Sequence, residues 1–338
     1  MASITTDPGK QRSIQRVTSE DGFFNICAMD HQRVLKSMLS NDPDSVEFSD
    51  IVQLKDTVVR AVAPEVSGVL TDARYGAAFV VATGALPRNV GSVVEVGDEG
   101  YDIPPGPRKS RLRSKWSMKQ IKLLGADVAK FLWFFRPDVN PEVAEHQRTV
   151  LRELVKESEK YSLPLIVEPI WYPLPGEDAS SQEWKDRRID GIVESAIEAD
   201  KLGADLLKLE FPGYLGSPEG DRRAVEACQA IDAAVTAPWL ILSAGVGFEE
   251  FAQQMEIAAK AGSSGYMAGR SVWMDAVTTH DEADRAEKFA AIRGRLSKLN
   301  EITRTHGKSV ATHEKLDEVL GRLPEFWYES WHPDNDIS

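Results

Sequence analysis

Short apolar runs that alternate with longer amphipathic stretches constrain this chain more than any other feature. The runs fall at residues 23–29, 66–71, 92–96, 127–134, 164–169, 205–209, 239–242 and 265–268. Runs of this length, nearly all apolar and separated by helical periodicity, read as strands of a parallel sheet covered on both faces. Eight such strands favour a closed sheet over an open one. The expected fold is α/β, a single-domain (β/α)8 TIM barrel.

Helical periodicity fills the gaps at residues 46–62, 119–124, 141–161, 187–202, 221–234, 248–261 and 282–299. Asn140 and Asp281 are placed to cap two of these helices at their N-termini. Gly125, Gly203 and Gly262 each follow a helical stretch and precede a strand, as expected of left-handed C-terminal caps. The apolar segment 77–81 fits a helix or a strand equally. The polar stretch 97–113, with Pro104, Pro105 and Pro107, reads as a long loop or lid. No Pro/Ser-rich linker divides the chain, so the expected organisation is an extension over residues 1–20, a barrel over 21–321 and an aromatic-rich tail over 322–338. Phe326, Trp327, Tyr328 and Trp331 of that tail are expected to pack on the barrel or on a neighbouring subunit.

Composition then narrows the partners. With 338 residues, 42% of them hydrophobic, there is ample material for one large core. A net charge of −13 repels phosphodiester backbones and anionic membrane surfaces. It leaves small phosphorylated metabolites open, because a phosphate reads local N–H groups and one or two cations. Cys27 and Cys228 are the only cysteines, the first residues lack an apolar leader, and no later stretch is long and apolar enough to span a bilayer. These features predict a cytoplasmic protein without nucleic-acid or membrane partners.

One weak internal repeat carries the chemistry. Gly125-Ala126-Asp127-Val128-Ala129-Lys130 recurs as Gly203-Ala204-Asp205-Leu206-Leu207-Lys208, with both lysines at one offset in apolar strands. These are the fourth and sixth strands, and side chains from alternate strands of a barrel share a layer. The strand between them carries Glu168, which the strand period turns opposite to Val167. A lysine in such a place must either be paired or become easier to deprotonate. A neutral amine can condense with a ketone, and the resulting iminium accepts the electrons released when the adjacent C–C bond breaks. Glu168 is placed to move the protons. The same residues, with Glu210, would also suit a buried ion network without catalytic purpose.

The last two strands run into Ser243-Ala244-Gly245 and into Gly269-Arg270. Small residues after strands seven and eight bare backbone N–H groups to a phosphate, and Arg270 adds a cation. Asp30 and Asp72 end the first and second strands, at the barrel mouth. Asp30 is expected to orient Lys208 or a substrate hydroxyl, and Asp72 to serve as a helix cap. His31 adjoins Asp30, but the remaining histidines, His146, His280, His306, His313 and His332, fall in helices, their flanks or the tail. Their scatter predicts no metal site.

Met29-Asp30, the segment 52–58, Gly100-Tyr101-Asp102, Gly125-Ala126-Asp127 with Lys130, Glu168-Pro169, Lys208 with Glu210 and Pro212, Leu242-Ser243-Ala244-Gly245-Val246, and Ala268-Gly269-Arg270 with Trp273 together resemble the class I tagatose 1,6-bisphosphate aldolase family. Sulfofructose-phosphate aldolases share much of the pattern. The resemblance spans about Gly22 to Ala276 and implies a metal-independent lyase without cofactor. It implies a Schiff base on Lys208, acid/base work by Glu168, and substrate hydroxyls positioned by Asp30 and Lys130. It also implies that the turns at 243–245 and 269–270 hold a C1 phosphate, and that dihydroxyacetone phosphate and an aldehyde such as glyceraldehyde 3-phosphate are released. One departure stands out: where the family reads Asp-Gln-Arg, this chain reads Asp30-His31-Gln32-Arg33. Arg33 is shifted, which leaves a second phosphate, a sulfonate (releasing sulfolactaldehyde) or a hydroxyl as alternatives at the far end of the ketose.

Two further readings fit the same residues. A barrel sugar-phosphate isomerase or epimerase would use Glu168 as its proton shuttle and the lysines only as cations, and a regulator would keep the phosphate site without turnover. The aromatic tail makes a homo-oligomer the expected assembly.

Overall fold

The computed structural model describes residues 5–98, 107–138 and 140–331. In chain order the first half contains α1 (Pro8–Val17), β1 (Phe24–Met29), α2 (Arg33–Leu39), α3 (Phe48–Val62), β2 (Gly68–Thr71), α4 (Ala77–Ala82), β3 (Gly91–Glu95), α5 (Met118–Leu124) and β4 (Val128–Phe134). The second contains α6 (Pro141–Lys160), β5 (Leu165–Ile170), α7 (Gln182–Lys201), β6 (Leu206–Leu209), α8 (Pro218–Ala234), β7 (Trp239–Leu242), α9 (Phe248–Ala261), β8 (Gly265–Ala268), α10 (Arg270–Thr278), α11 (Glu282–His306), α12 (Leu316–Arg322) and α13 (Trp327–Ser330). Strands β1 to β8 pair in sequence order, all parallel, and β8 closes on β1. The expected (β/α)8 barrel is present, with all eight strands at the expected places. The ambiguous apolar segment after β2 is the helix α4.

Strand alternation sorts the core into two shells. Outward-facing Cys27, Val69, Val94, Phe131, Val167, Leu207, Ile241 and Tyr266 meet the helices in a large outer cluster. Inward-facing Ile26, Ala28, Leu70, Val93, Val128, Ile166, Leu206, Leu240 and Met267 form a smaller cluster inside the barrel. Ile14 and Val17 of α1 join that inner cluster, so a helix from the expected N-terminal extension plugs the barrel floor. Its register is fixed by charge: Lys10 bonds Asp205 at 2.9 Å, and Arg16 bonds Asp127 at 2.5 Å. These are the two aspartates of the sequence repeat. Asp127 also accepts from the Ser92 amide and Asp205 from the Leu165 amide, each tying its strand to the preceding one.

The three glycines expected to end helices do so in the left-handed region, with φ of 84°, 100° and 119° at Gly125, Gly203 and Gly262. The base of the long loop after β3 is pinned by an antiparallel bridge between Gly97 and Leu112. Its middle, with Pro104, Pro105 and the Gly100-Tyr101-Asp102 motif, lies outside the described residues, as does His332. In the tail, Phe326, Tyr328 and Trp331 are exposed and meet Trp327 and one another edge-on or tilted. They are not buried on the barrel, which leaves the other half of the expectation, a neighbouring subunit, open to them.

Candidate active site

Two residues beyond the apolar floor, the inward positions turn charged. Ala28 is followed at that spacing by Asp30, Val93 by Glu95, Val128 by Lys130, Ile166 by Glu168 and Leu206 by Lys208. Since inward positions recur every second residue, all five side chains enter one ring above the plug, at the carboxyl ends of the strands. All are at most 9% exposed. Lys130 Nζ lies 2.6 Å from Glu168 Oε2, 3.0 Å from Asp30 Oδ2 and 3.1 Å from Glu95 Oε1. Lys208 Nζ lies 3.0 Å from the same Glu168 Oε2. The structure thus brings together the four residues expected to act on substrate, and adds Glu95.

The two lysines are not equivalent. Burial disfavours the ammonium of Lys130, but Asp30, Glu168 and Glu95 outweigh it and hold that group well above its usual range. Of the two escapes open to a buried lysine, Lys130 takes pairing and stays a cation. Burial likewise works to raise the Asp30 carboxyl, while Lys130 and Lys208 beside it hold it well below the usual carboxylate range. Among the described residues Lys208 is ion-paired with one carboxylate, that of Glu168, which Lys130 engages at shorter range. Glu168 is therefore within proton-transfer reach of Lys208, and its charge is shared between two amines.

Across the mouth, the turns after β7 and β8 are latched together. The Gly269 amide donates to Ser243 Oγ at 3.3 Å, Arg270 Nη2 donates to the Ala244 carbonyl at 3.2 Å, and Ser271 Oγ donates to the Val246 carbonyl. Ala244 and Gly245 both adopt positive φ, 47° and 85°. A Cβ on Gly245 would meet the Arg270 guanidinium carbon at 3.0 Å, so the missing side chain lets the cation lie against the turn. Gly269 caps the start of α10, whose first N–H groups point into the same corner. Backbone donors, a helix N-terminus and one arginine are the kinds of group that a phosphate reads. Ser243, Ala244, Gly245, Gly269 and Arg270 thus stand together as expected.

Other residues support the ring from outside. Lys55 of α3 is fully buried, donates to the Met29 carbonyl at 2.8 Å and is ion-paired with Asp72. Asp72 also accepts from the amides of Arg74 and Tyr75, the turn-capping role expected of it. His31 lies edge-on to Trp273, whose indole donates to the Ala28 carbonyl at 3.0 Å. Its Nδ1 is 3.7 Å from Asp30 Oδ1, too far for a hydrogen bond. Burial, opposed by Asp30 and aided by Arg270, Lys208 and Lys55, pushes the imidazole down to about 4. Two further residues singled out in the sequence lie in other surroundings. Glu210 accepts from Arg188 of α7 at 2.8 Å and from the Trp171 amide at 2.9 Å, and Arg33 is exposed as the first residue of α2.

Glu95 and Lys55 were missed as site residues, although a lone glutamate at the inward phase of Ser92-Val93-Val94-Glu95 carries the same signal as Glu168.

Residues 24–275 match the model of the DeoC/LacD family of aldolases. The chain belongs to the DeoC/LacD aldolase family. It is an aldehyde-lyase by that membership. Among its relatives, tagatose 1,6-diphosphate aldolase 2 of Enterococcus faecalis is 28% identical, the match covering 96% of this chain and 97% of the relative. Tagatose 1,6-diphosphate aldolase 1 of the same organism is 27% identical, over 89% and 96%. Solved structures share the fold: the fructose-bisphosphate aldolase of Plasmodium falciparum superposes with a TM-score of 0.68 at 14% identity, covering 89% of this chain and 95% of that one. An archaeal fructose 1,6-bisphosphate aldolase does so with a TM-score of 0.54 at 19% identity, over 88% and 99%. Among the described residues, no helix of this aldolase is long and apolar enough to cross a membrane.

Proposed function

We propose that this aldolase cleaves a ketose 1,6-bisphosphate, tagatose 1,6-bisphosphate being the model substrate, through an imine on Lys208, without metal or other cofactor. The observation that carries the reading is the unequal pairing of the two lysines around one oxygen of Glu168. Among the described residues Lys130 has two further carboxylates and serves as a fixed cation, whereas Lys208 has none and is the nucleophile.

In its neutral form, Lys208 Nζ adds to the C2 carbonyl of the ketose, and Glu168 delivers the protons that remove the oxygen as water and leave an iminium. Removal of the C4 hydroxyl proton then breaks the C3–C4 bond. Its electrons pass into the iminium to give an enamine, and the C4 fragment leaves as an aldehyde. Protonation at C3 and hydrolysis release dihydroxyacetone phosphate and restore the amine. Asp30 and Lys130 hold the C3 and C4 hydroxyls, and the turns at 243–245 and 269–270 hold the C1 phosphate against Arg270. Anchoring that phosphate fixes the carbonyl over the amine, which converts imine formation into an intramolecular event.

The test is a panel of hexulose 1-phosphates, 1,6-bisphosphates and 6-sulfonate 1-phosphates assayed for released dihydroxyacetone phosphate. Release from at least one of them is expected. Conversion of the sugar with no triose formed would make the protein an isomerase or epimerase, and tight binding without turnover would make it a regulator.

A further inference from the structure

Arg113 has no part in the ring or the phosphate corner, yet its backbone is fixed. Its amide donates to the Val96 carbonyl at 3.4 Å, beside the bridge between Gly97 and Leu112, so it rides on the continuation of β3. From there the side chain, 21% exposed, spans the mouth towards β1. Its Nη2 reaches Gln32 Oε1, two residues past Asp30, at 3.5 Å, and comes no closer than 3.9 Å to Asp98 Oδ1. Nε is buried and has no hydrogen-bond partner among the described residues. Arg136 and Arg188 behave differently: each closes on a carboxylate, at 2.9 Å and 2.8 Å. A buried guanidinium N–H without an acceptor is destabilising unless something else supplies one.

The strand order says what could. Within the aldolase reading above, C1 sits at the turns after β7 and β8, C2 at Lys208 on β6, and C3 and C4 over Asp30, Lys130 and Glu168. The remaining carbons must then run towards the rim above β1 to β3, where Gln32 and Arg113 meet. We infer that Arg113 is a specificity-determining residue that receives an anionic tetrahedral group, a phosphate monoester or a sulfonate, on the far end of the ketose. Its planar fork suits two oxygens of such a group, and the Gln32 side chain lies against it as a neutral neighbour. Asp98, at the edge of contact, is the charge the ligand displaces.

The inference rests on the aldolase reading, and the experiment separates the two. Wild type, Arg113→Gln and Arg113→Lys are compared on a hexulose 1,6-bisphosphate, the matching 6-sulfonate 1-phosphate and the 1-phosphate, and the quantity read is the ratio of kcat/KM between anionic-ended and neutral-ended substrates. Wild type should favour at least one anionic end, which also identifies the group as phosphate or sulfonate. Arg113→Gln should cut that ratio by about 10- to 100-fold, mainly through KM, with Arg113→Lys in between. A proportional loss on all three substrates, or a wild type with no preference, overturns the inference. If wild type cleaves none of them the aldolase reading fails instead, and calorimetry with hexitol 1,6-bisphosphate against hexitol 1-phosphate, which cannot form an imine, still decides. Equal affinities in wild type, or a preference that survives Arg113→Gln, would refute the role of Arg113.

Discussion

Replacing Lys130 with methionine removes a cation that touches three buried carboxylates, at 2.6, 3.0 and 3.1 Å. The methionine fills much of the same volume, so the loss is electrostatic. Breaking one side of a buried pair costs about 3–5 kcal/mol, because the partner charge stays behind without compensation. Of the lysines described in the ring, Lys208 remains, and its ion pair is with Glu168. The cost must depend on pH in a definite direction. In wild type, Asp30 is depressed, so its stabilising share is present above its unfolded range and lost only in strong acid. Lys130 is raised, so its share is complete at neutral pH and lost only in strong alkali. Between pH 5 and pH 8 the share of these two groups in wild type should therefore be roughly constant. In the variant Asp30 loses the nearest cation that holds it down and takes up a proton more readily as pH falls, which relieves the repulsion. Urea unfolding of both proteins, followed by the fluorescence of the eight tryptophans, should show a deficit of about 3 kcal/mol or more at pH 8 that shrinks by at least about 1 kcal/mol at pH 5. A deficit below about 1 kcal/mol at pH 8, or one of equal size at both pH values, would refute the buried-cluster argument.

Three other substitutions read separate parts of the site. Glu168→Gln removes the proton carrier but leaves the amine, so single-turnover measurements should show an imine still forming while steady-state cleavage falls by about 100-fold or more; full turnover would remove Glu168 from the chemistry. Arg270→Ala should raise KM for phosphorylated ketoses by about 10- to 100-fold, and an unaltered KM would place the C1 phosphate elsewhere. His31 is held at about 4 against an ordinary 6.5, so the folded chain resists a proton that the unfolded chain accepts. Stability should then fall as pH drops from 6.5 towards 4, by about 2–3 kcal/mol from this group, and His31→Gln should lose that component of the pH dependence. Parallel stability profiles for wild type and variant would contradict it.

Much of this arrangement is legible in the sequence because the barrel translates strand period into geometry. Lys130, Glu168 and Lys208 each stand two residues beyond an apolar inward position, and that spacing alone puts them in one ring. Glu95 obeys the same spacing and could have been found with them. What the sequence hides are contacts between distant segments. Asp127 and Asp205 look like incidental parts of the repeat until α1 is seen to anchor its Lys10 and Arg16 on them. Lys55 sits on the apolar face of a helix, and only the fold reveals that it holds the Met29 carbonyl just before Asp30. The protonation of Lys130 is likewise invisible in one dimension, since it depends on carboxylates from three other strands arriving together. Glu210 shows the converse: the sequence groups it with the lysines of the ring, whereas its hydrogen bonds come from Arg188 and the Trp171 amide.

The most direct test of the account is to incubate the protein with dihydroxyacetone phosphate and sodium borohydride and to map the modified peptide by mass spectrometry. A single adduct on Lys208, absent from Lys208→Arg, is the predicted result. An adduct on Lys130, or none on any lysine, would contradict the assignment of the nucleophile.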